Sequence, residues 1–428
     1  MKRFIFFALF ILCVIDGFSA NKMLQNEEFK QQTVRGVVKD LITKRPIPYA
    51  NVYLPDGTAG TVTNEEGLFT IKVKSSSDSI TLEFSSLGYT TSRIVVREVG
   101  TSGEKLFKVF LKPTANLLSE VKVYGGDARD LVISALSRVA ENYPQSDNLL
   151  NLFYRETIKK GSRYVGISEG ILDLYKSDYS VRRRTGDKVR VAKSRKLLNQ
   201  RASDTLAVKI QGGPLLAVEF DVVKNPDALF DEHSIHYYSF SHKGYAMMDE
   251  NLQHVVEFKP LYILDYALYE GVLYIDAESH TLTRAEISLD MSDRSKAERA
   301  LLRKKPMGLR FKTLEASLVV SYRKRAECSS LDYIKSNIRF RCDWKRRLFS
   351  SSYSAVSEMV VVDLQELPRA DVQRNLPAKE RPFEKSQIFD DTAEQNWDRD
   401  FWREYNIIEP TESLERAVEK LKRIYFAK

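Results

Sequence analysis

Residues 51–71 read NVYLPDGTAGTVTNEEGLFTI, two short apolar runs around turns that each carry a glycine. Asp56-Gly57 and Asn64 to Gly67 are where the backbone must reverse, because glycine enters the positive-φ region of such turns without a Cβ penalty. The same pattern repeats on either side. From Val34 to Lys112 the chain breaks into VRGVVKD, YANVYL, LFTIKVK, SITLEFSS, TTSRIVV and KLFKVFLK, with further turn residues at Lys44-Arg45-Pro46 and Leu87-Gly88. Phe69, Ile71 and Val73 alternate with Thr70 and Lys72, and Ile80, Leu82 and Phe84 alternate with Thr81 and Glu83, the period of a half-buried strand. About six short strands at this spacing predict a small antiparallel β-sandwich over residues 34–112. The TNEEG segment offers side-chain oxygens without the alternating ligand spacing of a calcium loop, so it reads as a turn.

The sandwich follows an export signal. Residues 1–20 place Lys2 and Arg3 ahead of an apolar run from Phe4 to Ile15 and then small residues, with cleavage after Ser19 or Ala20 both left open. No later stretch approaches about 18 uninterrupted apolar residues, so the remainder is expected to be soluble and to work outside the cytoplasm, in the periplasm or against the outer membrane. Losing the signal removes Cys13 and leaves Cys328 and Cys342, which excludes a disulfide framework and a cysteine zinc site and leaves one possible pairing open. The 428 residues, 43% hydrophobic and 11% aromatic, suffice for two domains with real cores. The formal charge of +8 falls to +7 without Lys2, Arg3 and Asp16, a modest basic excess that on an exported chain points to anionic envelope surfaces before nucleic acid.

The segment from GVVKD through TNEEGLFTI, with SSLGYTT after it, resembles the carboxypeptidase-regulatory-like domain found at the front of many exported proteins of the Bacteroidota, TonB-dependent receptors among them. The resemblance covers about 80 residues and implies a transthyretin-like β-sandwich with no peptidase activity. LSEVKVYGG, Leu118 to Gly126, is similar to the strand that follows this domain in those receptors, but no plug and barrel come next.

Asp127 instead caps a predicted helix, DARDLVISALSRVAENY, with Ala128, Val132, Ala135 and Val139 on one face and Pro144 beyond its end. From Leu149 to about Leu364 longer strands follow, with hairpins turning at Lys160-Gly161 and Glu278-Ser279 and a less regular insertion over Ser203 to Glu232 that is helical in part. GVLYIDAESHTLTRAEI resembles the strand, turn and strand of lipoprotein-carrier-type half-barrels, which wrap an apolar face. A long meander with one apolar face must curl over something, either its own helix from Asp127 or a bound apolar ligand; its own helix is the default. A polar segment leads into a final helix capped by Thr411, with Leu414, Val418, Leu421 and Tyr425 on one face. FWREYNIIEP resembles the ending of exported two-part proteins with the same sandwich. The fold class is therefore mainly β: signal 1–20, sandwich 34–112, linking strand and helix 113–145, a larger curved antiparallel sheet with a packed helix over 149–370, and a polar linker with a helical tail over 371–428.

The site candidates are sparse. His233, His236 and His242 crowd beside Asp231 and Glu232, and in a strand His236 and His242 would share a face suited to zinc; with no H-E-x-x-H helix and no second ligand cluster, no metal is assigned. No G-x-S-x-G elbow occurs, Gly212-Gly213-Pro214 lacks the lysine of a phosphate loop and reads as a turn, and paired carboxylates such as Glu169 with Asp173 read as solvated surface. No catalytic residue and no cofactor are assigned. The run with Arg182, Arg183, Arg184, Lys188, Arg190, Lys193, Arg195 and Lys196 reads as a solvated basic loop or as a patch for an anionic partner. Trp397, Phe401, Trp402 and Tyr405 recur at helical spacing, a face that docks the tail onto the body. The expected function is a non-enzymatic envelope binding or assembly protein, peripheral to the membrane at most, whose partner is an envelope protein or anionic glycolipid. The alternatives are a periplasmic lipid or lipoprotein carrier and, last, a hydrolase of envelope glycans.

Overall fold

The computed structural model describes residues 30–426 apart from 76, 78, 98–105, 115–123, 181–186, 199–208, 211, 232, 326, 345–349, 367–381, 385, 386, 388 and 397. The leader, most of Leu118 to Gly126, Arg182 to Arg184 and Trp397 thus lie outside the described residues.

Seven strands make the sandwich: β1 (Lys30–Asp40), β2 (Asn51–Tyr53), β3 (Gly60–Val62), β4 (Leu68–Ser75), β5 (Ser79–Ser85), β6 (Ser92–Arg97) and β7 (Phe107–Leu111). They form one sheet in the order β4-β1-β7 and a second in the order β3-β2-β5-β6. Phe69 and Ile71 of one sheet meet Leu82 and Phe84 of the other in a dry core, with the Phe69 and Phe84 rings edge to face at 5.4 Å. The turn at Gly67 has φ +72°, and a Cβ there would come within 2.6 Å of the Val38 carbonyl, so glycine is required twice over. Asn64 holds this turn by accepting the Glu66 and Leu68 N–H groups on its side-chain oxygen.

The remaining strands are β8 (Asn148–Lys160), β9 (Arg163–Lys176), β10 (Lys188–Leu198), β11 (Lys209–Ile210), β12 (Tyr238–Met248), β13 (Asn251–Pro260), β14 (Tyr269–Asp276), β15 (Leu282–Leu289), β16 (Leu302–Lys304), β17 (Leu309–Arg325), β18 (Cys328–Trp344), β19 (Ser351–Glu366) and β20 (Glu394–Gln395). All but β11 and β16, which pair as a ribbon, join one curved sheet in the order β12-β13-β14-β15-β17-β18-β19-β8-β9-β10-β20. Among the described residues its longer helices are α1 (Ala128–Ser137), α2 (Pro214–Glu219), α3 (Arg294–Leu301) and α4 (Glu412–Phe426), with one-turn helices at Val139–Asn142 and Phe389–Thr392. Asp127 caps α1 by accepting the Arg129 N–H at 2.8 Å, and the buried Ala128, Leu131, Val132 and Ala135 seat it on the inner face of the sheet. Among the described residues no helix is long and apolar enough to cross a membrane. Cys328 and Cys342 sit fourteen residues apart on β18, roughly 46 Å of extended chain, far beyond the reach of a disulfide.

The outer face of the sheet receives the sandwich, and the segment from Trp402 to Pro410 is wedged between them. Val62 of β3, Phe153, Ile171, Tyr333 and Val360 of the sheet, and Trp402 and Ile408 of the tail form one apolar cluster. Around it the tail carbonyls find donors on both sides: Lys72 Nζ donates to Trp402 and Tyr405, Thr61 Oγ1 to Ile407, Asn64 Nδ2 to Pro410, and Arg155 Nη2 to Ile408. The Asn406 side chain accepts from the Lys72 N–H and donates to the Lys72 carbonyl, which closes the exposed edge of β4 as a neighbouring strand would. This explains why Thr70, on the polar side of the alternation, is buried.

Glu169 lies at the centre of the wedge. Its carboxylate accepts from Arg155 Nε at 2.8 Å, Arg195 Nε at 2.9 Å and the Trp402 indole at 2.9 Å. Burial alone would raise its pKa, but the two guanidinium groups and the indole N–H outweigh that and hold it at about 2, against 4.5 in the unfolded chain. The Glu169 contribution to stability is therefore complete above about pH 4.5 and is lost as pH falls toward about 2. Glu169→Gln leaves two guanidinium groups without their anion and should lower unfolding free energy by about 3–5 kcal/mol. It should also flatten the pH dependence of stability in that window, as read by denaturant titrations at stepped pH; unchanged stability at neutral pH would contradict the arrangement.

Candidate functional site

Among the described residues, the inner face of the large sheet is only partly filled. Helix α1 packs against β12 and β14. Farther across, α2, the segment after it, the loop 261–268 and α3 arch over β15, β17, β18 and β19 and leave a cavity of about 700 Å³. Ile287, Leu289, Leu318, Ile334 and Ile338 form its floor, and Leu216, Ala217 and Phe220 face them from the roof. At the rim, Lys296 donates to the Leu264 carbonyl and Arg299 to that of Asp265 at 3.1 Å, so α3 holds the loop at the mouth.

The roof is anchored by buried charge. Gly213, at φ +100°, turns the chain into α2, and Pro214 takes the first helical position, where its missing N–H costs nothing. Just past the helix, Asp221 is fully buried and accepts from Lys176 Nζ at 2.7 Å, Tyr322 at 2.8 Å and Tyr179 at 2.9 Å. Desolvation would depress Lys176, yet the carboxylates of Asp187 and Asp221 reverse the sign and keep it charged. The buried Lys224 ammonium is satisfied by the carbonyls of Ser177 and Asp178. The roof is thereby tied to β9 and β17 while the space under it stays open.

Beside this geometry stands a comparison that concerns the sandwich. Residues 34–123 match the CarboxypepD_reg-like domain. The regulatory-like domain thus takes in every sandwich strand from β2 to β7 and the turns read above. Among solved structures, the chain is similar to a DUF1329 family protein from Desulfovibrio piger, at 11% identity over 56% of this chain and 91% of that one, with a TM-score of 0.24. It is also similar to a LolA superfamily protein from Nitrosomonas europaea, at 10% identity over 56% and 96%, with a TM-score of 0.20. No curated protein matches it.

The charges expected to reach outward are turned inward, toward the tail that docks the regulatory-like domain. Lys188 to Lys196 lie in strand β10 and not in a loop. Lys188 is exposed there, but Arg190 pairs with Asp173, Lys193 donates to the Phe401 carbonyl, Arg195 to Glu169 and the Asp398 carbonyl, and Lys196 to the Asp390 carbonyl. Asp173 and Glu169, read from sequence as solvated, are buried because these cations demand counter-charges under the tail. Phe401, Trp402 and Tyr405 pack in the wedge, though Arg399–Trp402 is a single 3₁₀ turn and not a longer helix. In α4, Leu414 and Leu421 are buried against Ile167 and Leu197, with Val418 beside them; the Tyr425 side chain lies outside the description.

The histidines do not converge as strand parity predicts. Ser234–Tyr237 is a 3₁₀ turn, so His233 and His236 fall before β12, and His236 lies within 3.4 Å of Arg129 at the surface. Only His242 is on the strand. Its Nε2 is 3.0 Å from Nδ1 of His254 on β13, and His280, in the β14–β15 turn, bonds Ser134 of α1 at 2.7 Å. Among the described residues no group of three or more histidine, cysteine or acidic side chains is arranged to hold a metal ion. His254 and His280 escaped the sequence reading because they lie 12 and 38 residues from His242, and only the strand pairing brings them together.

This cluster makes the seat of α1 sensitive to acid. Burial, then the neighbouring His242 and His280, depress His254 from 6.5 to about 4, against a weaker opposing pull from Asp276; Tyr124 and Tyr245 close the group. Between about pH 6.5 and 4 the unfolded chain takes up a proton that the folded His254 refuses, so stability falls with pH across that window. His254→Gln should remove this slope in denaturant titrations; a slope unchanged by the substitution would contradict it.

Proposed function

We propose that the chain is a non-enzymatic binding protein of the bacterial cell envelope, and that its larger sheet holds an apolar chain in the cavity of the inner face. The cavity carries this reading. At about 700 Å³ it lies within the range of small-molecule sites, and its floor and roof are mostly aliphatic and aromatic, with polar and charged side chains among the lining. An apolar space of this size, left open while buried ion pairs brace its roof, is better suited to an apolar guest than to water. Export follows from the leader-like residues 1–20, and the resemblance of the sandwich points to the periplasm of a member of the Bacteroidota, against the outer membrane.

In this reading the regulatory-like domain contributes a rigid outer surface while the sheet carries the guest, which favours the carrier alternative over simple assembly. A partner would be an envelope protein or a lipid-bearing molecule that delivers or receives the chain. Organic extraction of the purified protein, followed by mass spectrometry, should release lipid in near-stoichiometric amount. Leu318→Trp, which fills the floor, should reduce the yield several-fold while the fold stays intact by circular dichroism. Recovery of no lipid, together with no binding of added fatty acid, would overturn the proposal.

A further inference from the structure

The inner face is not uniformly apolar where it passes the cavity. Beside Leu318 of β17, the polar residues Ser336, Ser357, Glu156 and Ser168 are successive cross-strand neighbours on β18, β19, β8 and β9. The flanking rows, Val320-Ile334-Met359-Tyr154 on one side and Ala316-Ile338-Ala355-Ile158 on the other, are apolar apart from the tyrosine hydroxyl. Ser336 and Ser357 line the cavity. A polar row between two apolar ones on a face that buries a core demands partners for its hydroxyls.

The polar groups of this row are paired within it. The Tyr154 hydroxyl donates to Glu156 at 2.6 Å. The Ser336 and Ser357 oxygens are 2.7 Å apart and are joined by one hydrogen bond. Two hydroxyls that share one hydrogen bond keep a second proton and further lone pairs, and both serines line the cavity. Burial raises the Glu156 carboxyl, aided by Asp390, and no cation stands in the row to meet an anion. The group that fits beside the serine pair is neutral and can both donate and accept.

We infer that the cavity selects an apolar chain that carries a hydroxyl group, which hydrogen-bonds the Ser336–Ser357 pair on the cavity wall. The inference rests on the reading of the cavity as an apolar-chain site and names the chemical class of its guest. A bare alkyl chain would cover the serine pair without satisfying it.

Isothermal titration of the full chain with a saturated long-chain fatty acid, and with the same chain bearing one hydroxyl at successive positions, tests this. At least one hydroxylated isomer should bind up to about tenfold more tightly than the plain acid. Ser336→Ala should erase that difference, so that the hydroxylated and plain acids bind alike, with circular dichroism showing that the variant folds. Should Ser336→Ala lose the plain acid as well, Ser336→Cys, which keeps the shape and weakens the acceptor, serves the same comparison. Equal binding of every isomer and the plain acid, or a preference that survives loss of the serine hydroxyl, overturns the inference while the apolar site stands. No binding of any of these chains overturns both.

Discussion

A single buried carboxylate, Glu169, joins three parts of the molecule that are far apart in sequence. Arg155 reaches it from the adjacent strand of the large sheet, Arg195 from the other side, and the Trp402 indole from the tail. Burying a carboxylate costs several kcal/mol unless it is fully paired, so the arrangement is favourable only when all three donors are present. The tail is thereby obliged to lie across the outer face, and its carbonyls are then placed to receive Lys72, Thr61 and Asn64 of the sandwich. The turns of residues 51–71 have a second use beyond reversing the chain, since they form the socket that grips the tail.

The consequence for function is a division between two faces. The outer face of the sheet is covered by the sandwich and tail, while among the described residues the inner face meets short helices and loops. Those elements are fixed by their own buried charge, Asp221 with Lys176, at a distance that keeps them from collapsing onto the floor. A cavity of this kind is difficult to maintain with apolar packing alone, because an aliphatic roof gains energy by settling onto an aliphatic floor. Directional, desolvated bonds resist that settling.

Much of the fold was legible because it depends on local periodicity. The alternation of Phe69, Ile71 and Val73, the turn at Gly67, the hairpin at Gly161 and the cap at Asp127 each follow from a few neighbouring residues, and each appears where the sequence places it. What could not be read depends on which surface covers which. Thr70 and Lys72 look solvent-facing until the tail is laid over them. The basic residues of β10 look like a patch for a partner until Glu169, Asp173 and the carbonyls of the tail are brought opposite. His236 reads from sequence as sharing a face with His242 because a 3₁₀ turn is invisible to a two-residue period. The large sheet was expected to close over its own helix, but α1 is too short to cover more than the β12–β14 end, and the cavity fills the difference.

Calorimetric unfolding of the full chain tests the central claim most directly, because a tail that locks sandwich and sheet together must make them melt together. The account predicts one cooperative transition, which separates into two when Trp402 is replaced by alanine and the wedge loosens. Two well-resolved transitions in the unaltered protein, with the sandwich melting independently of the sheet, would contradict it.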